Sequence, residues 1–440
     1  MNFNLRRSQH WAAGSYVDLI LAAVIMQILF MLTAIWVGTI GSEFYSNNLV
    51  ETQYALRLQL SLGWMMCIIA GLGFSILPLI YDIKSFEKTL MRLYVGMNIA
   101  GQITIMLGIM SNNLEIFQTL VTIGITLLCT SLVCLGPPAV KVFKSKNTED
   151  GKLGPFSYTL GAITPILGLF IISSWVLRNE IPGILDTSEN FIFGFFIPLV
   201  IVTLIISHFN RRLDWEIIHA NNLSKIFVAY ALLLFISFIS EPIMNRGDIS
   251  IRLAAILQLL PYIFIFLMLN PKKIIFMLKE KRQCNKMILA SILWLPVIGI
   301  AAYAETMGYI ETTDAMMSYH RWILIFGVAF QALWGYASYL HDDHKRLSIH
   351  RRKTQWFMIF LINIGTIITV YAMSISWQTG EAVQQYPRLG IAIYAISYLF
   401  ILIHWVKETF LSLDTWHKTP MFYDKYLANP DEGPGALTDN

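Results

Sequence analysis

Residues 58–80 read LQLSLGWMMCIIAGLGFSILPLI, a run without a charged side chain. A helix that crosses a bilayer needs about 20 mostly apolar residues, and its backbone groups must pair within the segment because no water is there to meet them. This run satisfies both demands. Working outward from it, the same reading predicts twelve spans, near 16–40, 58–80, 91–111, 116–137, 156–176, 191–208, 224–241, 252–270, 287–304, 321–340, 355–375 and 388–406. The first is too long for a cleaved signal, and no small-residue cleavage site leads into a polar mature region.

Composition agrees. Of 440 residues, 56% are hydrophobic and 14% charged, whereas soluble domains carry about 25% charged residues. A soluble globular enzyme, a coiled coil and a disordered chain are excluded on that ground. Cys67, Cys129, Cys134 and Cys284 show no CxxC spacing, and the first three lie in apolar runs, so they read as small buried hydrophobes.

The loops test the count of spans. With the N-terminus in the cytoplasm, 26 of the 32 Lys and Arg residues fall inside and 6 outside, the latter being Arg57, Arg178, Arg246, Arg252, Arg321 and Arg388. That asymmetry holds at every loop pair, as the positive-inside rule requires. The expectation is a multi-pass protein of the cell membrane with both termini cytoplasmic, its partner the lipid bilayer. The net charge of +4 serves orientation, not nucleic-acid binding. The tail, residues 411–440, is cytoplasmic and ends in a polar Pro- and Gly-containing stretch that reads as disordered.

A period of four helices runs through the chain. Gly63, Gly194 and Gly327 are separated by 131 and 133 residues, in helices 2, 6 and 10. Fourteen residues after each come Leu77, His208 and His341. Pro165 and Gly168 in helix 5 recur after 131 residues as Pro296 and Gly299 in helix 9, and Pro138 recurs after 133 as Pro271. Asn98 and Asn363 each stand shortly before a glycine in helices 3 and 11. These pairs predict three repeats, residues 1–143, 144–275 and 276–410. An even number of spans per repeat keeps the three in one orientation, related by an axis along the membrane normal. Gly71 and Gly335 follow Gly63 and Gly327 by eight residues, so each pair lies near one helix face. Glycines there let a backbone or a flat ligand approach closely. Pro165, Pro198, Pro261 and Pro296 are expected to kink their helices.

This all-α integral membrane arrangement, twelve helices in three four-helix arcs, resembles the haem-copper oxidase catalytic subunit and the related NnrS family. Helix 2 ends Gly71-Leu72-Gly73-Phe74-Ser75-Ile76-Leu77-Pro78-Leu79, similar to the GxGxxxxPL ending of that family's helix 2. Helix 10 begins Tyr319-His320-Arg321-Trp322 and runs on to Gly327 and Gly335, resembling the HxH-then-glycine entry that delivers haem ligands. The resemblance implies one haem ligand, His320, and a respiratory or nitric-oxide-related setting with other membrane subunits as partners. The departures are large. Where the family has a haem-binding histidine in helix 2, this chain reads Tyr54-Ala55-Leu56-Arg57-Leu58-Gln59, and Trp322 takes the second helix 10 position. The outer half of helix 6 is Phe191-Ile192-Phe193-Gly194-Phe195-Phe196, and helix 7 has no histidine. A binuclear centre needs several imidazoles around a haem iron and a second metal. The expectation is therefore a scaffold without that centre, with no catalytic residues and no terminal oxidase or nitric oxide reductase activity.

Other chemistry is sparse. His341 and His344 stand at helical spacing beside Asp343, which defines a weak metal candidate in a charged loop. His208 is a second weak candidate, and His219 and His404 read as interfacial anchors. Asn98, Gln102, Gln258, Gln331 and Asn363 are the neutral polar groups expected within spans, where they would bond between helices. Two rival functions accompany the scaffold reading: a permease for a small neutral solute, and a purely structural subunit of a larger complex.

Overall fold

The computed structural model describes residues 9–39, 47–71, 88–137, 140, 163–207, 223–240, 248–270, 274, 283–309, 318–345, 352–378, 399 and 403. Among them there is no β-strand. Helix α1 is Gln9–Thr39, α2 covers 49–71, α3 is Lys88–Met110 and α4 is Leu114–Val133. Then follow α5, Thr164–Leu177, α6 over 184–207, α7, Leu223–Ser240, and α8, Asp248–Met268. The last three are α9, Gln283–Thr306, α10 over 319–345, and α11, Arg352–Gln378. Among the described residues, six helices are long and apolar enough to cross a membrane: α2, α3, α4, α6, α8 and α9. Shorter apolar stretches lie in α1, α5, α7 and α11. Of the span expected near 388–406, only Leu399 and Ile403 belong to the described residues.

Local chemistry explains the joints. Only Ser111, Asn112 and Asn113 separate α3 from α4, so the two helices run antiparallel. Asn112 takes the left-handed conformation at φ 53°, which asparagine tolerates. Asn113 caps α4, its Oδ1 accepting from the amides of Glu115 and Ile116 at 3.0 and 3.2 Å. Gly183 at φ 76° precedes α6, and Gly308 at φ 70° follows α9.

Burial separates a centre from a periphery. In α2 and α6, 89% and 83% of the apolar window is buried, against 39% in α3 and 28% in α8. On α8 the side chains of Ile249, Leu253, Ile256, Leu260 and Leu267 are exposed along one stripe. In water such a stripe would drive association; in hydrocarbon it is the natural outer surface. Threonines on the outer faces of α3 and α4 settle their hydroxyls internally. Thr104, Thr126 and Thr130 each donate to the carbonyl four residues back, at 2.6 to 2.8 Å.

The central helices share a backbone irregularity. Each winds into a π-helical segment: Gln59–Met65 in α2, Phe191–Phe196 in α6 and Ile323–Ala329 in α10. The three begin 132 residues apart, and each contains one of Gly63, Gly194 and Gly327. In α6 a cause is visible: Pro198 has no N–H for the carbonyl of Gly194, and its ring crowds that oxygen, so the turn opens. Pro261 and Pro296 lie within their helices as expected, but Pro165 stands in the first turn of α5, where a missing N–H costs nothing.

A polar clasp and an amide seam on the central helices

The N-terminal portions of α2, α6 and α10 converge on one buried ion cluster. Glu189 Oε2 is paired with Arg57 Nη1 and lies 3.3 Å from Arg321 Nη1. Side-chain exposure is 4% for Glu189, 17% for Arg57 and 11% for Arg321. These three residues are spaced 132 and 132 apart, the interval of the π segments. Arg57 also donates through Nη2 to Gln53 Oε1 at 2.8 Å.

Neighbouring helices extend the cluster. The Tyr54 hydroxyl and Ser188 Oγ share a hydrogen bond of 2.8 Å between α2 and α6. Tyr54 stacks on Trp175 of α5, with ring centroids 6.1 Å apart and an interplanar angle of 10°. Trp175 Nε1 donates to Thr122 Oγ1 of α4 at 2.7 Å, and the Arg178 guanidinium lies 4.2 Å over the indole. Burial lowers Arg178 from its ordinary pKa, and the charge of Glu51 acts in the opposite sense. On the far side, Glu305 of α9 accepts the backbone amide of Tyr319 and pairs with His320 Nδ1, so one carboxylate caps α10 and holds its histidine. Three of the basic residues expected outside, Arg57, Arg178 and Arg321, thus meet in one network.

Below the clasp, neutral amides seam the central helices to their neighbours. Asn98 Nδ2 donates to Leu62 O at 3.1 Å, and Gln102 Nε2 to Gln59 O at 3.0 Å, both across α3 and α2. Asn363 of α11 and Gln331 of α10 exchange amide bonds of 3.2 Å, and the Trp294 indole of α9 donates to Asn363 Oδ1 at 2.6 Å. The amides of Asn98 and Gln102 and that of Gln331, which donates to Gly327 O at 2.9 Å, reach carbonyls within the π segments, where the i−4 ladder is broken. Gln258 of α8 accepts from Thr306 Oγ1 of α9 at 2.5 Å. Deeper still, Trp64 packs against Phe330 and Trp334, with centroids 5.4 and 6.4 Å away, and closes the space between α2 and α10. A cavity of about 10 Å³ between α6, α9 and α10, lined by Ile201, Leu204, Ile288 and Leu333, has room for roughly one water.

The glycines fall into two kinds. A methyl on Gly63 would collide with the Gln102 side chain, and one on Gly327 would come within 3.0 Å of the Trp294 ring. A methyl on Gly194 would meet nothing within 4 Å. A haem would need the bare faces of Gly63 and Gly327, and protein side chains already fill them. His320 has the Nδ1 partner that usually orients a ligand imidazole, yet Gln102 and Trp294 occupy the faces of Gly63 and Gly327. The residues present do not fit a haem laid between α2 and α10.

Gly71 and Gly335 lie in α2 and α10. His341 lies in the last turns of α10, where only the backbone is described, and His208, Leu77 and Pro78 lie outside the described residues. No group of three or more His, Cys, Asp or Glu suited to a metal occurs among the described residues. The clasp itself was not singled out from sequence. Its signal was present: the interval that aligns the three glycines also aligns Arg57, Glu189 and Arg321, five or six residues earlier.

Among the described residues the fold is helical, with six helices long and apolar enough to cross a membrane. No family model matches the chain, and no curated protein matches it.

Proposed function

We propose that this chain is a twelve-span protein of the cell membrane on a threefold, haem-copper oxidase- and NnrS-like scaffold, without a binuclear centre, acting as an accessory subunit in a respiratory or nitric-oxide-related membrane assembly. One observation carries the scaffold reading. Arg57, Glu189 and Arg321 stand at equal intervals of 132 residues, near the N-terminal ends of three central helices, and meet in one ion cluster. The equally spaced π segments support the same repeat. Where an oxidase would use imidazoles and metals to join these helices, this chain uses guanidinium, carboxylate and amide groups, which knit helices but transfer no electrons.

Purification from its native membrane in mild detergent tests this reading, with absorption spectra, metal analysis and the mass of the intact complex taken on one sample. The expected result is co-purifying subunits and no stoichiometric Soret band. A Soret band near one haem per chain, lost in His320→Ala, would return the chain to the haem proteins. A lone chain that moves a small neutral solute into proteoliposomes would make it a permease.

A further inference from the structure

The amide seams of the first and third arcs differ in how they are completed. Around Asn363 every amide oxygen has a donor: Asn363 Oδ1 accepts from Trp294 Nε1 at 2.6 Å and Gln331 Nε2 at 3.2 Å, and Gln331 Oε1 accepts from Asn363 Nδ2 at 3.2 Å. Around Asn98 the nitrogens are used and the oxygens are not. Gln59 Nε2 donates to Gln102 O at 3.2 Å, Gln102 Nε2 to Gln59 O at 3.0 Å, and Asn98 Nδ2 to Leu62 O at 3.1 Å. Those bonds fix the amide orientations, since a flipped amide would set oxygen against a carbonyl oxygen. Gln59 Oε1, Asn98 Oδ1 and Gln102 Oε1 then have no hydrogen-bond partner, in residues with no exposed surface. A buried acceptor left in this way costs about 1–3 kcal/mol. A fourth such oxygen, Gln27 Oε1, lies on α1, the helix packed against α3 and the π segment of α2.

The sequence shows why the two seams diverge. The donor that completes the third arc is the Trp294 indole. Two intervals of 132 residues earlier stands Phe30, a ring without an N–H, on α1. At that interval the first arc carries a side chain with no N–H to donate.

We propose that Gln59, Asn98 and Gln102 form a binding site for a small monovalent cation between α2 and α3. The fully buried polar side chains of these two helices are uncharged. A neutral oxygen set can repay the dehydration of a singly charged ion, whereas magnesium or calcium calls for carboxylates. The π segment adds main-chain oxygens: the carbonyls of Gln59 and Leu62 each keep a second lone pair beside the amide that reaches them. Opened helices in membranes hold sodium through such carbonyls. The site stands apart from the accessory role proposed above and does not require it.

The test uses the full-length protein in nanodiscs prepared in choline chloride, free of sodium and potassium. Radioactive sodium binding and thermal unfolding are measured in sodium, potassium and choline chloride at equal ionic strength. The expected result is saturable binding of one ion per chain and an unfolding temperature that rises with sodium or potassium but not with choline. Asn98→Leu and Gln102→Leu abolish both effects, while Asn363→Leu leaves ion binding intact. Phe30→Trp supplies the missing donor without deleting a ligand, so it should weaken binding at least tenfold in a folded protein. Equal unfolding in all three salts with no saturable binding would overturn the proposal and leave the oxygens to ordered water. Saturable binding that survives both Asn98→Leu and Phe30→Trp would place the ion elsewhere and overturn it equally.

Discussion

Replacing Glu189 by glutamine removes the one carboxylate that joins three central helices. At 3.3 Å, the Arg321 contact alone corresponds to roughly 5 kcal/mol of Coulomb attraction at an effective dielectric constant near 20. Dehydration of the ions offsets much of that gain when the pair forms. Breaking a buried pair from one side costs about 3–5 kcal/mol, because the partner charges stay behind. Arg57 and Arg321 keep 17% and 11% side-chain exposure, so water screens part of this penalty. The expected loss for Glu189→Gln is about 2–4 kcal/mol, on the reasoning that partial exposure trims the fully buried figure. The assay is equilibrium unfolding in mixed micelles, as a double-mutant cycle with Arg57→Gln. Because the two residues touch, the double mutant should lose at least about 1 kcal/mol less than the sum of the singles. Additive effects, or a Glu189→Gln loss under about 1 kcal/mol, would refute the view that the clasp fastens the three helices.

The glycines make opposite predictions. Gly327→Ala should destabilise by about 1–3 kcal/mol through the Trp294 ring, while Gly194→Ala should be neutral or stabilise by up to about 1 kcal/mol; unfolding of both variants side by side decides it. Trp294→Phe removes the 2.6 Å bond to Asn363 and should cost about 1–2 kcal/mol in the same assay, with faster hydrogen exchange in α11. Tyr54→Phe keeps the stack on Trp175 but loses the bond to Ser188, for an expected loss near 1 kcal/mol. A loss as large as that of Glu189→Gln would mean that the hydroxyl, not the carboxylate, carries the junction.

Much of the helical layout was legible because hydrocarbon imposes it. A run such as 58–80 has few fates. Asn98 and Asn363 could be singled out because a polar group inside an apolar run needs a partner. Which partner was not legible. Asn98 reaches a main-chain carbonyl of α2, and Asn363 reaches a glutamine and an indole. Those choices depend on which side chains the adjoining helices carry, the Trp294 indole beside Asn363 among them. The flat-ligand reading of Gly63 and Gly327 rested on the absence of a side chain at each glycine. It could not reveal that Gln102 and Trp294 supply one from elsewhere.

The sequence by itself determined the apolar runs of membrane length and their order, and it spaces Arg57, Glu189 and Arg321 at 132 residues. Only the tertiary structure decided what the interval is for. It set Arg57, Glu189 and Arg321 in one cluster, opened a π turn in each central helix, and left three amide oxygens of α2 and α3 without donors. The physical reason is that hydrophobic burial and backbone pairing act along each segment and can be read from it. Charge pairing and amide satisfaction act between segments more than a hundred residues apart, and exist only once those segments touch.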